Sequence, residues 1–460
     1  MRMARRRSDL NMTEGSIWKI LVKFSVPLLF GLLFQQMYNM VDSVVVGNFV
    51  GKDALAAVGS VGPILNTVLG IFSGFSTGAS VVISQFFGAN NKEMVHKAAH
   101  TIYTMTLMVS AGITVIGLLI VDPMLSLMQT PADVYPMSRT YLTIYMAGIS
   151  GVILYNMGAG ILRAVGDSKH PLYFLIISAV TNTLLDLIFV VGFDMGVAGV
   201  AYATILSQLL SAVLVIITLM RAQGAYRLVV KDLCFSGKIA KQIVNLGIPT
   251  ALQMGVTAFS NVFVQGYINA FGSAAMAAWS SYGKIDALTL LPAQCLAMAS
   301  TSFVGQNLGA GNISRAKQGT RCAVWMSLIT SCALQVPVIA FAPQLVSLFN
   351  ADPEVIAYGA MLLRVIGPVQ SVTSPNQVYA SALRGAGDTR APMIIMLSSF
   401  VVIRQIYLFL ASRLSSSFLV VALGYPLGWV FAISAMFLYY TFSGWGKKSD
   451  KIRKLATEKE

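Results

Sequence analysis

LRAVGDSKHP occupies residues 162–171 and LRGAGDTRAP occupies residues 383–392. Leu, Arg, Gly, Asp and Pro recur at matching places, displaced by 221 residues. The displacement holds outward from this pair. SQFFGANN at 84–91 aligns with GQNLGAGN at 305–312, and LMQTPADV at 127–134 with LFNADPEV at 348–355. Gly51 and Ala54–Ala57 align with Gly272 and Ala275–Ala278, while Pro27 pairs with Pro249 one residue out of step. Chance similarity does not hold one register for more than a hundred residues, so the chain is a tandem duplication.

What was duplicated is a set of membrane-crossing helices. Of 460 residues, 56% are hydrophobic and only 11% charged, against about 25% charged in a soluble domain. Twelve apolar runs of the roughly 20 residues that a bilayer helix needs recur between residues 24 and 442. They are continuous, and too long for barrel strands. The expected fold is an all-α polytopic membrane protein, with twelve transmembrane helices in two pseudo-symmetric six-helix lobes. Residues 1–220 are read as the N-terminal lobe, 221–242 as a cytoplasmic linker, 243–443 as the C-terminal lobe and 444–460 as a basic cytoplasmic tail. Six is even, so both copies share one orientation, related by an axis along the membrane normal. The first apolar run is too long for a signal-peptide core and lacks a small-residue cleavage site, so it is expected to stay.

The net charge of +14 follows topology. Lys and Arg fill alternate loops and both tails (Arg2, Arg5, Arg6 and Arg7; Lys447, Lys448, Lys451, Arg453 and Lys454), and the loops between are acidic. That pattern puts both termini in the cytoplasm of a multi-pass cell-membrane protein. It points to contact with anionic lipid and away from nucleic acid. The four cysteines, Cys234, Cys295, Cys322 and Cys332, show no paired spacing. His96, His100 and His170 lie in or beside basic loops. Surface or interfacial histidines are therefore expected, with no metal centre, disulfide framework or cofactor. No nucleophile and base cluster together and no Walker motif occurs, which argues against an enzyme and against direct ATP drive.

Chemistry is expected where charge sits at membrane depth, since such residues are costly and usually functional. They are Asp42, Asp186, Lys284, Asp286, Arg364 and Arg404. Asp42 lies inside FSVPLLFGLLFQQMYNMVDSVVVGNFVG (24–51), where Gln35, Asn39 and Asp42 share helical spacing and Pro27 favours a bend. Asp186 follows Asn182 by four residues, and Thr204 in the next span can add a hydroxyl. Two carboxylates, an amide oxygen and a hydroxyl suit a proton or a hard cation such as Na⁺. Crowded and desolvated, two carboxylates cannot both ionise cheaply, so the pair would bind and release a proton. Static ion pairs with basic residues are the alternative. Gln253, Thr257, Asn261 and Gln265, and Gln370, Ser374 and Gln377, form polar stripes that suit a cavity or interhelical hydrogen bonds. Lys284, Asp286 and Arg404 join Gln35, Asn39, Gln253, Asn261 and Gln377 as candidate cavity residues. In the duplicated LRxxGD turns a structural role is preferred over substrate contact, with Arg163 and Arg384 anchoring to headgroups or pairing with the nearby Asp.

Together these stretches resemble the multidrug and toxic compound extrusion (MATE) transporters, end to end. The carriers are QQMYNMVDSVVVGNFVG, GQNLGAGN, the paired LRxxGD turns and the spacing of Asn182 and Asp186. The resemblance implies a two-lobed exporter with a central cavity. It would work by alternating access and expel cationic or amphipathic compounds in exchange for H⁺ or Na⁺. It also implies a first helix bent at Pro27 and an N-lobe cation site at Asp42, Asn182, Asp186 and Thr204. Some MATE branches carry coupling acids in the seventh and tenth helices. Here those helices hold Gln253, Asn261 and Gln370 to Gln377 without a carboxylate, so Asp286 is the C-lobe acid left at depth. The chain is expected to act as a monomer. The rival reading is a flippase for a lipid-linked oligosaccharide, whose phosphates would use Lys284, Arg364 and Arg404.

Overall fold

The computed structural model describes residues 10–128, 130–415 and 417–447, and no strand occurs among them. Arg2, Arg5, Arg6, Arg7, Lys448, Lys451, Arg453 and Lys454 lie outside the described residues. Eleven helices and one bent pair are long and apolar enough to cross a bilayer. Spans 1 to 6 are Ile17–Val50, Asp53–Gly88, Lys92–Leu127, the pair Tyr135–Ala147 with Ile149–Ala164, Lys169–Gly192 and Gly196–Met220. Spans 7 to 12 are Gly237–Asn269, Ser273–Gly309, Ile313–Ala340, Pro353–Gly385, Arg390–Leu414 and Phe418–Phe442. The chain is a twelve-span helical membrane protein, six spans to a repeat.

The duplication is written in the backbone as well as in the side chains. Gly51 and Gly272 have φ of 112° and 89°, Gly166 and Gly387 of 93° and 84°, and Asn90 and Gly311 of 54° and 78°. Each pair is 221 residues apart. Asn is the side chain that best tolerates this left-handed region, so one turn survives where a glycine has no glycine counterpart.

The LRxxGD turns are caps. Asp167 accepts from the backbone amides of Lys169 (3.1 Å) and His170 (3.2 Å), which open span 5. Asp388 accepts from the Ala391 amide (3.3 Å) at the start of span 11 and from the Tyr439 hydroxyl (2.7 Å). Both carboxylates thus satisfy helix-start donors that have no partner within the helix. The arginines are not bound to these acids as expected: Arg384 is buried and donates to Gln253 Oε1 at 2.9 Å.

Two compact units divide the chain. One contains Val26–Gly247 with the described residues before Met12, and the other contains Met12–Ser25 with Ile248 onward. Linker residues 221–242 and the first turns of span 7 belong to the first unit, and residues 12–25 to the second. The breaks at Ser25/Val26 and Gly247/Ile248 each fall one residue ahead of a proline of the repeat, Pro27 or Pro249. Both prolines lie inside continuous helices, Ile17–Val45 and Gly237–Asn269. In the second unit, Met12 is held through its N–H by Gln306 Oε1 (3.0 Å) and through its carbonyl by Asn307 (3.1 Å). The loop matched as GQNLGAGN is thus a docking point for the chain ahead of span 1.

Within the first unit, span 4 turns by 48° between Ala147 and Ile149. No proline lies at that bend. A Cβ on Gly148 would collide with Ile205, one on Gly151 would meet Leu209 at 2.9 Å, and one on Gly158 would meet Val215 at 2.9 Å. This glycine stripe lets span 4 press its backbone on span 6, as small residues do between helices in lipid.

The linker is pinned to span 3 by His100, which is fully buried rather than superficial. Its Nδ1 bonds His96 O (2.7 Å) and its Nε2 accepts from the Val229 amide (3.0 Å). The Ser236 amide donates to Thr101 Oγ1 (3.2 Å), and His96 Nε2 meets Asp232 Oδ2 at 3.3 Å. Ligand atoms of His96, His100 and Asp232 lie within 4.8 Å of one another. Both ring nitrogens of His100 are committed to backbone, however, so the group reads as an anchor. Losing those bonds strands a backbone donor, at about 1–3 kcal/mol. His100→Ala is therefore expected to speed tryptic cleavage at exposed Lys231 by about tenfold; unchanged cleavage would remove the anchoring role.

Candidate functional site

Spans 1, 4, 5 and 6 of the first unit bring together the acids singled out in sequence. Asp186 and Asn182 are fully buried on span 5, at 0% and 1% exposure, and Thr204 on span 6 at 7%. Asp42, half-buried on span 1, is an electrostatic neighbour of Asp186. Asp42 Oδ1, both oxygens of Asp186 and both polar atoms of Asn182 are buried without a donor or acceptor from the protein. No basic residue pairs with either acid among the described residues. Thr204 donates to Val200 O (3.0 Å), leaving its oxygen free to accept. Each orphaned buried polar group costs about 1–3 kcal/mol, so five in one place call for a partner that is not a protein side chain.

Both acid-bearing helices widen just past the acids. Span 1 takes a π-type turn over Val46–Val50, and span 5 over Leu187–Gly192. The Gly51 amide reaches back five residues to Val46 O (3.0 Å), and the Phe193 amide to Ile188 O (3.0 Å). Such turns are inserted at functional sites more often than elsewhere.

Sequence reading missed Tyr38, Tyr141 and Gln208. Tyr38 neighbours Asp42, Gln35 and Gln208, and Tyr141 neighbours Asp42 and Thr204. The signal was present: Tyr38 precedes Asp42 by four residues and Gln208 follows Thr204 by four. Gln35 thus joins the site through Tyr38, whereas Asn39 is exposed and makes only a long bond to Gln36 (3.4 Å).

The candidate residues of the second unit scatter. Gln253 accepts from Arg384 and donates to Met396 Sδ (3.1 Å), so it is spent on packing. Lys284 is exposed beside the Phe349 ring (5.2 Å), Arg364 is exposed, and Gln377 is half-buried. Ser374 bonds Ser327 Oγ (3.2 Å), an interhelical bond rather than a cavity wall. Asn261 accepts from Arg404 (2.8 Å), whose guanidinium lies over the Tyr425 ring of span 12 (4.8 Å), and Asp286 accepts from the Tyr282 hydroxyl on span 8 (3.1 Å).

The family model MatE matches the chain twice, over residues 27–188 and again over 248–410. The two matches start 221 residues apart, the displacement of the repeat. The chain belongs to the MATE family. This MATE protein is a membrane transporter and not an enzyme. It is 31% identical over 452 residues to the probable multidrug resistance protein YpnP of Bacillus subtilis, covering 97% of this chain and 99% of that one. A FAD transporter of Shewanella oneidensis is 23% identical, covering 85% of this chain and 87% of the relative. A solved multidrug resistance MATE family transporter of the MOP superfamily, in an outward-facing conformation, superposes with a TM-score of 0.88. It is 23% identical and the match covers 99% of this chain and 100% of that one, which supports the fold.

Proposed function

We propose that this MATE transporter is a secondary active exporter. It antiports cationic or amphipathic organic compounds against H⁺ or Na⁺ by alternating access, acting as a monomer in the cell membrane with both termini in the cytoplasm. The observation that carries the reading is the Asp42–Asp186 pair, facing carboxyls without a protein donor or counterion. Protonation satisfies one carboxyl with the other. Na⁺ would instead draw on Asp42, Asn182, Asp186 and Thr204, an all-oxygen set of the kind hard cations select. Either ion changes the charge of span 1 against span 5, next to π-type turns and the hinge-competent Pro27. The multidrug resistance name carried by a relative as similar as YpnP supports the cargo class. One charge moved through 100 mV supplies about 2.3 kcal/mol, enough for a cargo gradient of about fiftyfold.

The test is efflux of an organic cation dye from proteoliposomes under separately imposed pH and Na⁺ gradients. One gradient is expected to drive efflux and the other to have no effect. Efflux indifferent to both would sink the antiport reading.

A further inference from the structure

His96 and His100 stand four apart on span 3, so one helix face carries both. Their ring centroids are 4.0 Å apart. Asp232, on the short helical turn Val230–Asp232 of the linker, comes to the same place. One ligand atom from each of the three lies within 4.8 Å of the others, and all three residues belong to the first unit. His96 Nε2 and Asp232 Oδ2 are 3.3 Å apart, longer than an N–H···O bond usually runs. It is the spacing of two ligands on one ion: tetrahedral bonds of about 2.0–2.2 Å set neighbouring ligand atoms ~3.3 Å apart.

His100 is prepared for the same task. Its Nδ1 meets the His96 carbonyl oxygen (2.7 Å), which can only accept, so Nδ1 carries the proton and Nε2 the lone pair. A backbone carbonyl in that place is a usual means of orienting a metal-binding imidazole and setting its tautomer. The lone pair is engaged by a neutral donor, the Val229 amide (3.0 Å), which a cation can displace. Two imidazoles and one carboxylate suit Zn²⁺ and its transition-metal neighbours, and do not suit Mg²⁺ or Ca²⁺, which take oxygen. We propose that His96, His100 and Asp232 bind one divalent ion of the Zn²⁺ class, and that the ion clips the linker to span 3 in place of the Val229 bond. The hydrogen-bonded anchor is the ion-free form of this site. Entry is from the solvent side: the His96 and Asp232 side chains are 39% and 51% exposed, and His100 is fully buried behind them. The ion meets the outer two ligands first and the buried ring last, with water completing the four positions. None of the three residues takes part in the proposed antiport, so the site stands whether or not that reading does.

Zn²⁺ binding is measured by calorimetry on the full chain in nanodiscs, purified through a tag free of histidine. One Zn²⁺ per chain is expected, with an affinity about a hundredfold above that for Mg²⁺. His96→Gln and Asp232→Asn, both at positions open to solvent, should each weaken Zn²⁺ by about tenfold or more. The chain has three histidines, so His170→Ala is one control, and Cys234→Ser, at the exposed linker thiol, is the other; both should leave the affinity unchanged. Zn²⁺ should also slow tryptic cleavage at exposed Lys231 by about tenfold in wild type. It should have no effect on cleavage of His96→Gln or Asp232→Asn, which separates protection of the linker from action on the protease. Neither variant removes the His100 bonds, so loosening of the anchor does not blur the outcome. Zn²⁺ affinity unchanged in both variants, affinity lost in Cys234→Ser, or equal protection of wild type and variants would overturn the site.

Discussion

Asp186→Asn is expected to bring gradient-driven export down to the rate of protein-free vesicles, in a protein that folds and still binds cargo. Asn is nearly isosteric with Asp and keeps an oxygen for hydrogen bonding, so the packing of span 5 on span 6 is preserved. What it cannot do is take and release a proton, and its neutral oxygen is a poorer ligand for Na⁺. Asp186 is fully buried and neither of its oxygens has a protein donor. The charged form therefore contributes nothing to folding that the amide loses. Replacing an uncompensated buried charge by a neutral group is commonly neutral or stabilising. The expected signature is unusual: transport lost, with the thermal unfolding midpoint unchanged or raised. Asp42→Asn should behave alike, and the double variant should be no worse than either single one, because residues acting as a unit are not additive. A drop in thermal stability with transport retained would assign the pair a structural role.

How the site came to be readable follows from which contacts are local. Asp42, Asn182 and Asp186 stood out because a carboxylate inside an apolar run is rare on its own, and the i, i+4 spacing of Asn182 and Asp186 put them on one face. The pairing of Asp42 with Asp186 could only be guessed, since they are on different spans. Tyr38, Tyr141 and Gln208 carried no such contrast: tyrosine and glutamine occur throughout the spans, and only packing reveals which ones face the acids. The polar stripe of span 7 shows the opposite failure. Gln253 looked like a cavity residue by spacing, yet its partner is Arg384, 131 residues away, a distance no periodicity reports. The bend of span 4 was invisible because it rests on what Gly148 lets Ile205 do, and glycine is common in membrane helices. The division of the units at Val26 and Ile248 leaves no mark in the sequence for a related reason: each span is continuous in sequence and in helix, and the division lies in which neighbours each half touches.

Gly166→Ala is the substitution expected to cost the fold most for the fewest atoms. Gly166 holds φ at +93°, where an L-residue is strained by about 1–3 kcal/mol. Strain is only the first contribution. A Cβ there would press into the backbone of Leu10, 2.8 Å from its amide nitrogen and closer still to its carbonyl oxygen. No rotamer change relieves a clash with backbone, so residues 10 and 11 must move or the turn must open. Opening the turn in turn pulls Asp167 from the Lys169 and His170 amides and uncaps span 5, at about 1 kcal/mol more. Span 5 carries Asn182 and Asp186, so the damage reaches the Asp42–Asp186 pair. The control is built into the duplication: Gly387→Ala meets the same strain, at φ +84°, in the matching turn of the second repeat. Asn90, at φ +54°, shows that this chain uses asparagine to hold a left-handed turn. Gly166→Asn should therefore recover part of the strain and none of the clash. Unfolding midpoints of the purified variants are expected to fall in the order Gly166→Ala below Gly166→Asn below wild type. A Gly166→Ala protein as stable as wild type would mean that the turn does not need its left-handed residue, and that the repeated glycine is kept for another reason.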